Sequence, residues 1–488
     1  MMSRPVVTAL AAVALVVAAC GGAQPQPGAA PATTVPPPAP VLPVPTERQM
    51  RWQERELIGF AHFGVNTFTD REWGEGKEDP KIFNPSALDA RQWARACKDG
   101  GLRMIILTAK HHDGFCLWPS AYTDHSVKSS PWRDGKGDVV REVAEACRAE
   151  GLDFGTYLSP WDRHEPAYGD SPKYNEHYLK QLTELMTNYG TISEVWFDGA
   201  CGEGPNGKKQ VYDFDAFWGT VRTLQPGACM FSDVGPDVRW VGNENGTAKD
   251  PNWSTLHKAK MGLGKPNKSQ TTGDLDGADW IPAEADVSIR PGWFYHAKED
   301  DKVKSLQKLV DIYYNSVGQN SVLLLNIPPD RRGLFHENDV KRLRELREAI
   351  AADFPKDLAK GKAATADNVR GGAAAYGAAR AVDGDAATYW ATDDGVLAAA
   401  LEVDLGAPTA FNRVVIQEHI RLGQRVKAFA VEAWDGQAWK EIGRGKTIGY
   451  KRILRIPDVT AQKVRLKIED ARGCPTISNV GVYCSERN

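Results

Sequence analysis

Met104-Ile105-Ile106-Leu107-Thr108-Ala109 runs directly into Lys110-His111-His112-Asp113. The first six residues are almost continuously apolar rather than alternating. That suits a strand buried on both faces, as in a parallel sheet. Seven similar runs lie at 57–63, 154–158, 195–197, 230–232, 238–241, 287–289 and 322–327. Helical patterns fall between them. Trp93, Ala96, Cys97 and Gly100 share one helix face, and Val140, Val143, Ala144 and Cys147 share another behind Asp138 as N-cap. Leu182, Leu185, Met186 and Tyr189 form a third face, which Gly190 closes. Eight strands alternating with helices predict an α/β fold, a (β/α)8-like barrel over residues 47–355. The interval from Trp240 to Val287 shows no clean helix, so the barrel is expected to be irregular there.

After residue 356 the pattern changes to short alternating segments at 401–405, 413–416, 429–434, 463–468 and 480–484. Turn signals such as Asp383-Gly384-Asp385 and Asp435-Gly436 separate them. Residues 356–488 are therefore expected to form an all-β sandwich. At the other end, Arg4 precedes an apolar run that finishes Val17-Ala18-Ala19-Cys20. It reads as a signal peptide over 1–20, with Cys20 as a lipobox cysteine for lipid attachment. Residues 21–46 are rich in Ala and Pro and read as an extended linker. The expectation is a secreted protein, lipid-anchored to a bacterial membrane through this segment alone.

A chain of 488 residues exceeds one ordinary core, in line with two domains. The net charge of -3, without a basic stripe, speaks against nucleic acid as a partner. Seven cysteines follow Cys20; Cys97 with Cys147, and Cys474 with Cys484, are the candidate disulfides. No CxxC or HExxH spacing occurs, and no metal or cofactor is expected.

Barrel chemistry sits where strands end. The polar residues there are His62, Lys110 to Asp113, Tyr157, Asp162, Asp198, Asp233, Glu244, Arg290, Trp293 and Asn326. Hydrolysis of a glycoside with retention needs two carboxyls, one a nucleophile and one an acid/base. Asp198 follows a strand directly and suits the nucleophile, with Gly199 letting substrate approach. Glu244, longer and on a loop, suits the acid/base. Glu75, Asp113, Asp162 and Asp233 remain open as alternatives for the acid. Neutral His62, His111 and His112 can both donate to and accept from sugar hydroxyls. Adjacent strand residues point to opposite sides, which disfavours a shared metal on His111 and His112.

Phe60-Ala61-His62-Phe63-Gly64, Lys110-His111-His112-Asp113-Gly114-Phe115, Tyr122-Thr123-Asp124-His125-Ser126-Val127, Trp196-Phe197-Asp198-Gly199 and Leu323-Leu324-Leu325-Asn326-Ile327-Pro328-Pro329 together resemble glycoside hydrolase family 29, the retaining α-L-fucosidases. The resemblance implies Asp198 as nucleophile. It also implies fucose contacts from His62, Trp73, His111, His112, Tyr157 and Trp293, with Arg239 supporting them. Arg239-Trp240-Val241-Gly242-Asn243-Glu244 resembles the subgroup acting on α-1,3 and α-1,4 fucosyl branches and implies Glu244 as acid/base. The substrates would be fucosylated glycans. Ala381-Val382-Asp383-Gly384-Asp385 and Tyr389-Trp390-Ala391 resemble a discoidin-type module. The alternatives are another retaining exo-glycosidase and a carbohydrate-binding protein with a decayed site; Asp198 and Glu244 together argue against decay.

Overall fold

The computed structural model describes residues 35–264 and 266–487. The expected signal segment with Cys20, and residues 21–34 of the linker, lie outside the described residues. Among the described residues, no helix is long and apolar enough to cross a membrane.

Eight parallel strands form the barrel: β1 (Leu57–Ala61), β2 (Met104–Lys110), β3 (Asp153–Leu158), β4 (Glu194–Trp196), β5 (Cys229–Phe231), β6 (Arg239–Trp240), β7 (Ala283–Ser288) and β8 (Ser321–Asn326). They pair in the order β5-β4-β3-β2-β1-β8-β7-β6, and a bridge between Phe231 and Val238 joins the two ends. At that seam β5 and β6 are short, and Asp237 stands in for the missing ladder. Its carboxylate accepts the Met230 amide at 2.9 Å, while Arg48 and Arg222 hold it from outside.

One strand is longer than its apolar run. β7 begins at Ala283, not Val287, because Ala283-Glu284-Ala285-Asp286 alternates small residues with carboxylates. Both acids point into the barrel and are buried, against the usual exposure of acids.

The helices start and stop as their caps predict. Asp89 accepts the amides of Arg91 and Gln92 at 2.9 and 3.1 Å and opens Ala90–Asp99. Asp138 accepts the Arg141 amide at 2.9 Å and opens Val139–Glu150. Gly190, at φ +77°, follows Ser171–Asn188. Between β6 and β7 the chain makes an excursion with one five-residue helix, Lys268–Thr272, and a two-stranded pairing of Thr255–Leu256 with Asp279–Trp280.

Arg239 fastens this excursion. It is wholly buried and donates to the carbonyls of Gln270 (2.9 Å) and Ile281 and to Asn252 Oδ1 (2.7 Å). Burial pulls its pKa down to about 9.

The sandwich is antiparallel throughout. Its long strands Ala399–Glu418 and Arg452–Ala471 pair with each other. Val426–Trp434 pairs with Arg452–Ala471, and Thr476–Tyr483 with Ala399–Glu418. Leu401, Val403 and Leu405 are buried while Glu402 and Asp404 are not, the two-residue period of a half-buried strand. Register shifts near Asp404 and Phe411 interrupt the ladder between the two long strands.

Side chains of the sandwich reach the barrel's excursion. Gln424 accepts the Ser254 amide at 2.7 Å and donates to the Asn252 carbonyl at 3.1 Å. Thr447 Oγ1 accepts the Asn252 amide at 2.9 Å.

Two expectations change. Residues 37–46 are not a free linker. Val41 N donates to the Leu422 carbonyl at 2.9 Å, and Arg425 donates to the Ala39 carbonyl at 2.8 Å. Gly423 permits this approach: its φ is +92°, and a Cβ there would lie 2.0 Å from Val41 O. The candidate disulfides are also absent. Cys97, Cys147, Cys474 and Cys484 are free thiols, and burial pushes Cys147 up to about 12.

Asn252 joins Arg239, the Gln319 carbonyl and the sandwich. Asn252→Ala would leave the buried guanidinium short of a partner, a loss of about 2–3 kcal/mol. The expected melting temperature falls by roughly 2–3 °C, read by scanning calorimetry.

Candidate active site

The side chains at the C-terminal strand ends converge on one cavity. Its lining includes His62, Trp73, His111, His112, Asp198, Glu244 and Trp293, seven of the nine candidates. Tyr157 is buried directly behind it, and its hydroxyl donates to Asp198 Oδ2 at 3.0 Å. Arg239 is the exception. It is committed to the excursion's backbone and does not reach the cavity.

Asp198 is gripped at both oxygens. Tyr157 holds Oδ2, and the Ala200 amide donates to Oδ1 at 2.7 Å. His112 Nε2 stands 4.0 Å from Oδ2. Gly199 has a reason other than substrate access: a Cβ there would meet Asp233 Oδ2 at 1.8 Å. The close approach of that second carboxyl requires glycine. Burial, a Gly264 amide bond and the nearby Asp198 charge leave Asp233 pushed up to about 6.

The imidazoles are fixed by their second nitrogens. Asn326 spends its amide hydrogens on Ser288 Oγ and the Trp293 carbonyl, so its Oδ1 accepts from His62 Nδ1 at 2.9 Å. Ser159 donates to the Trp161 carbonyl, and its oxygen accepts from His112 Nδ1 at 2.7 Å. Both rings then present an unprotonated Nε2. Burial lowers all three histidines, His62 to about 3, despite the Asn326 bond. His111 and His112 both reach the cavity because β2 ends at Lys110, and strand alternation stops with it.

Glu244 Oε2 accepts the Trp293 indole N–H at 3.1 Å. The Trp293 amide is itself held by Glu72 Oε2 at 2.8 Å. Trp73 stands at the rim, 57% exposed, with its ring nearly perpendicular to those of His112 and Trp161.

The other acids have different partners. Asp162 is held at about 2 in spite of its burial, because Lys110 Nζ donates to it at 2.8 Å. Asp113 accepts from Asn66 Nδ2 and the Phe115 amide. Glu75 is exposed and paired with Arg71.

Five lining residues escape the sequence reading as site residues: Phe60, Glu72, Trp196, Ala200 and Asp286. Glu72 precedes Trp73 and could have been found from it. Asp286 is hidden in the polar half of β7. It accepts the Trp240 indole N–H at 2.8 Å, and burial and the Glu244 charge raise it well above the usual carboxylate range.

The comparisons with known proteins agree with this geometry. Residues 44–351 match the family described as Alpha-L-fucosidase, about two thirds of the chain. The chain belongs to that family. It is a glycoside hydrolase, an α-L-fucosidase. Residues 380–466 match the NedA-like, galactose-binding domain.

The chain is 50% identical to a putative alpha-L-fucosidase 1 of rice, over 93% of this chain and 87% of the relative. It is 47% identical to alpha-L-fucosidase 1 of Arabidopsis thaliana, over 92% and 89%. A Ruminococcus gnavus family 29 fucosidase solved in complex with fucose superposes with a TM-score of 0.86. That enzyme is 37% identical, over 93% of this chain and 98% of its own. The bacterial membrane location expected from Cys20 is withdrawn: the rice and Arabidopsis relatives, which match over more than nine tenths of the chain, are plant proteins, with which it is at odds.

His62 gives the enzyme a defined acid sensitivity. Its folded pKa, about 3, lies below the unfolded value of 6.5. The unfolded chain therefore takes up a proton first, and stability is lost as pH falls from 6.5 toward 3. By pH 5 the loss from this group is about 2 kcal/mol. Urea titrations at neutral pH and near pH 5 should show His62→Gln losing that much less stability than the parent.

Proposed function

We propose that this fucosidase removes terminal fucose from α-1,3- and α-1,4-fucosyl branches with retention of configuration, through a covalent fucosyl-enzyme. The observation that carries the reading is that Asp198 and Glu244 line one cavity among neutral imidazoles.

In the first step Asp198 attacks the anomeric carbon. Its two hydrogen bonds hold the carboxylate in one orientation for that attack. Glu244 gives a proton to the departing glycosidic oxygen. Its Oε2 is occupied by the Trp293 N–H, which leaves Oε1 for the transferred proton. In the second step Glu244 takes a proton from water, and the hydroxide displaces Asp198 from the anomeric carbon. Two inversions restore the original configuration.

His62, His111 and His112 bind the sugar hydroxyls, with Nε2 of His62 and His112 as acceptors. Trp73 covers the sugar at the rim, and Trp293 with Phe60 provides an apolar wall for its methyl group. The linkage preference rests on the resemblance of the Arg239 to Glu244 motif and on the presence of a C-terminal sandwich.

Asp198→Ala is expected to lower turnover at least about a thousandfold with an unchanged circular dichroism spectrum. Near-normal turnover would remove Asp198 as nucleophile. Glu244→Ala should slow aryl fucosides with poor leaving groups far more than those with good ones, because only the poor ones need the proton; equal losses would count against its role.

Linkage and stereochemistry are tested on oligosaccharides. Release of fucose from an α-1,3/1,4 branch but not from a terminal α-1,2 linkage is expected, and proton NMR should show the α-anomer first. Release from both removes the linkage claim, and a β-anomer removes retention.

A further inference from the structure

Two carboxyls face each other inside the barrel, below the pocket. Glu194 opens β4 and Glu284 is the second residue of β7, strands that are not neighbours in the sheet. Both are wholly buried.

Each spends one oxygen on an indole. Trp52 Nε1 donates to Glu194 Oε2 at 2.8 Å, and Trp196 Nε1 donates to Glu284 Oε1 at 2.8 Å. The remaining oxygens, Glu194 Oε1 and Glu284 Oε2, are enclosed and receive no donor from an N–H or O–H of another residue. The two side chains lie within hydrogen-bond reach of each other.

Two ionised carboxylates in that position would repel each other, and each would carry an enclosed oxygen without a donor. One proton removes both costs. The acid O–H of one donates to the carboxylate oxygen of the other.

We propose that Glu194 and Glu284 share one proton and act as a positioning pair for the fucosidase reaction, holding Trp196 as the floor of the sugar pocket. Trp196 lines the pocket on its upper side. Below, its ring lies flat on Phe231, with centroids 3.9 Å apart and planes 3° apart. It also stacks on Tyr157 at 5.6 Å, and Tyr157 carries the hydroxyl that holds Asp198. Losing the acceptor on Glu284 frees the Trp196 N–H, and the displacement passes through Tyr157 to Asp198.

The inference rests on the fucosidase activity of the chain and, for the path through Tyr157, on the role proposed for Asp198; the shared proton itself rests on neither that role nor the one proposed for Glu244. The charged groups facing the pair are few. Arg55, Asp237 and the Cys229 thiol lie toward the N-terminal end of the barrel, and Asp286 lies toward the pocket.

Burial raises both glutamates, Glu194 to about 7; the charge of Glu194 raises Glu284 further, while the hydrogen bond to Glu284 pulls Glu194 down. The folded pair thus keeps a proton that the unfolded chain, titrating near 4.5, gives up. Its stabilisation is complete below that value and fades as pH rises through about 7.

Three measurements on the full chain test the pair. Glu284→Leu removes the acceptor and should lower kcat/KM at least about tenfold. Glu284→Gln supplies an amide oxygen for Trp196 and an N–H for Glu194 without a proton to lose. It should restore kcat/KM to within about threefold of the parent near pH 6, and its kcat/KM and melting temperature should fall less on the alkaline side. The third readout is infrared: the parent's carboxylic-acid C=O band near pH 6 should be weaker in Glu284→Gln.

An unchanged band would mean that Glu284 contributes to no protonated carboxyl of the parent, and would overturn the shared proton. An unchanged alkaline profile in Glu284→Gln would do the same. A folded Glu284→Leu variant with the parent's kcat/KM would overturn the positioning role. If Glu284→Leu does not fold, the profile and band of Glu284→Gln still decide the shared proton.

Discussion

The indole of Trp196 has its face against Phe231 and its N–H on Glu284. Those two contacts fix the level at which the pocket begins. Everything above is placed by reference to that floor. Tyr157 stacks on the indole and points its hydroxyl at Asp198. Asp286, two residues along β7 from Glu284, faces the same interior and takes the indole N–H of Trp240. Indole N–H groups are useful in this setting because each satisfies one carboxyl oxygen while its ring fills apolar volume. Two layers of buried carboxyls thus stand in the barrel, each tied to an indole.

A second set of contacts carries the loop of Glu244. β6 has only two residues, too few to position that loop by backbone pairing alone. Arg239 compensates with three directed bonds into the excursion, and Asn252 passes that hold to the sandwich through Gln424 and Thr447. The sandwich is thus part of the scaffold of the barrel. Its strand 399–418 also reaches the barrel helix Leu306–Ser316, where Arg413 donates to Tyr314 Oη at 2.8 Å.

The parts of this protein that are legible in its sequence share a property. Their signals are local. Continuous apolar runs mark strands covered on both faces, and Asp138 and Gly190 mark helix ends, since a cap acts within a few residues of itself. The polar residue after each run marks a strand end, and His62, His111, His112 and Asp198 reach the cavity for that reason. The apolar run understates β7, because Glu284 and Asp286 look like exposed acids until their indole partners, 88 and 46 residues away, are known.

The class of fold, the α-L-fucosidase family and most of the residues at the mouth of the barrel can be read from the chain alone. Which polar groups face which is settled by the folded molecule. Arg239 resembles a site residue in the chain but turns to the excursion, where three acceptors converge on it. Gly199 is glycine because Asp233 approaches from another strand end. Glu72 reaches the cavity because it grips Trp293, 221 residues away. Burial, partner and charge belong to the space around a side chain, and closure of the barrel creates that space from segments far apart in the chain.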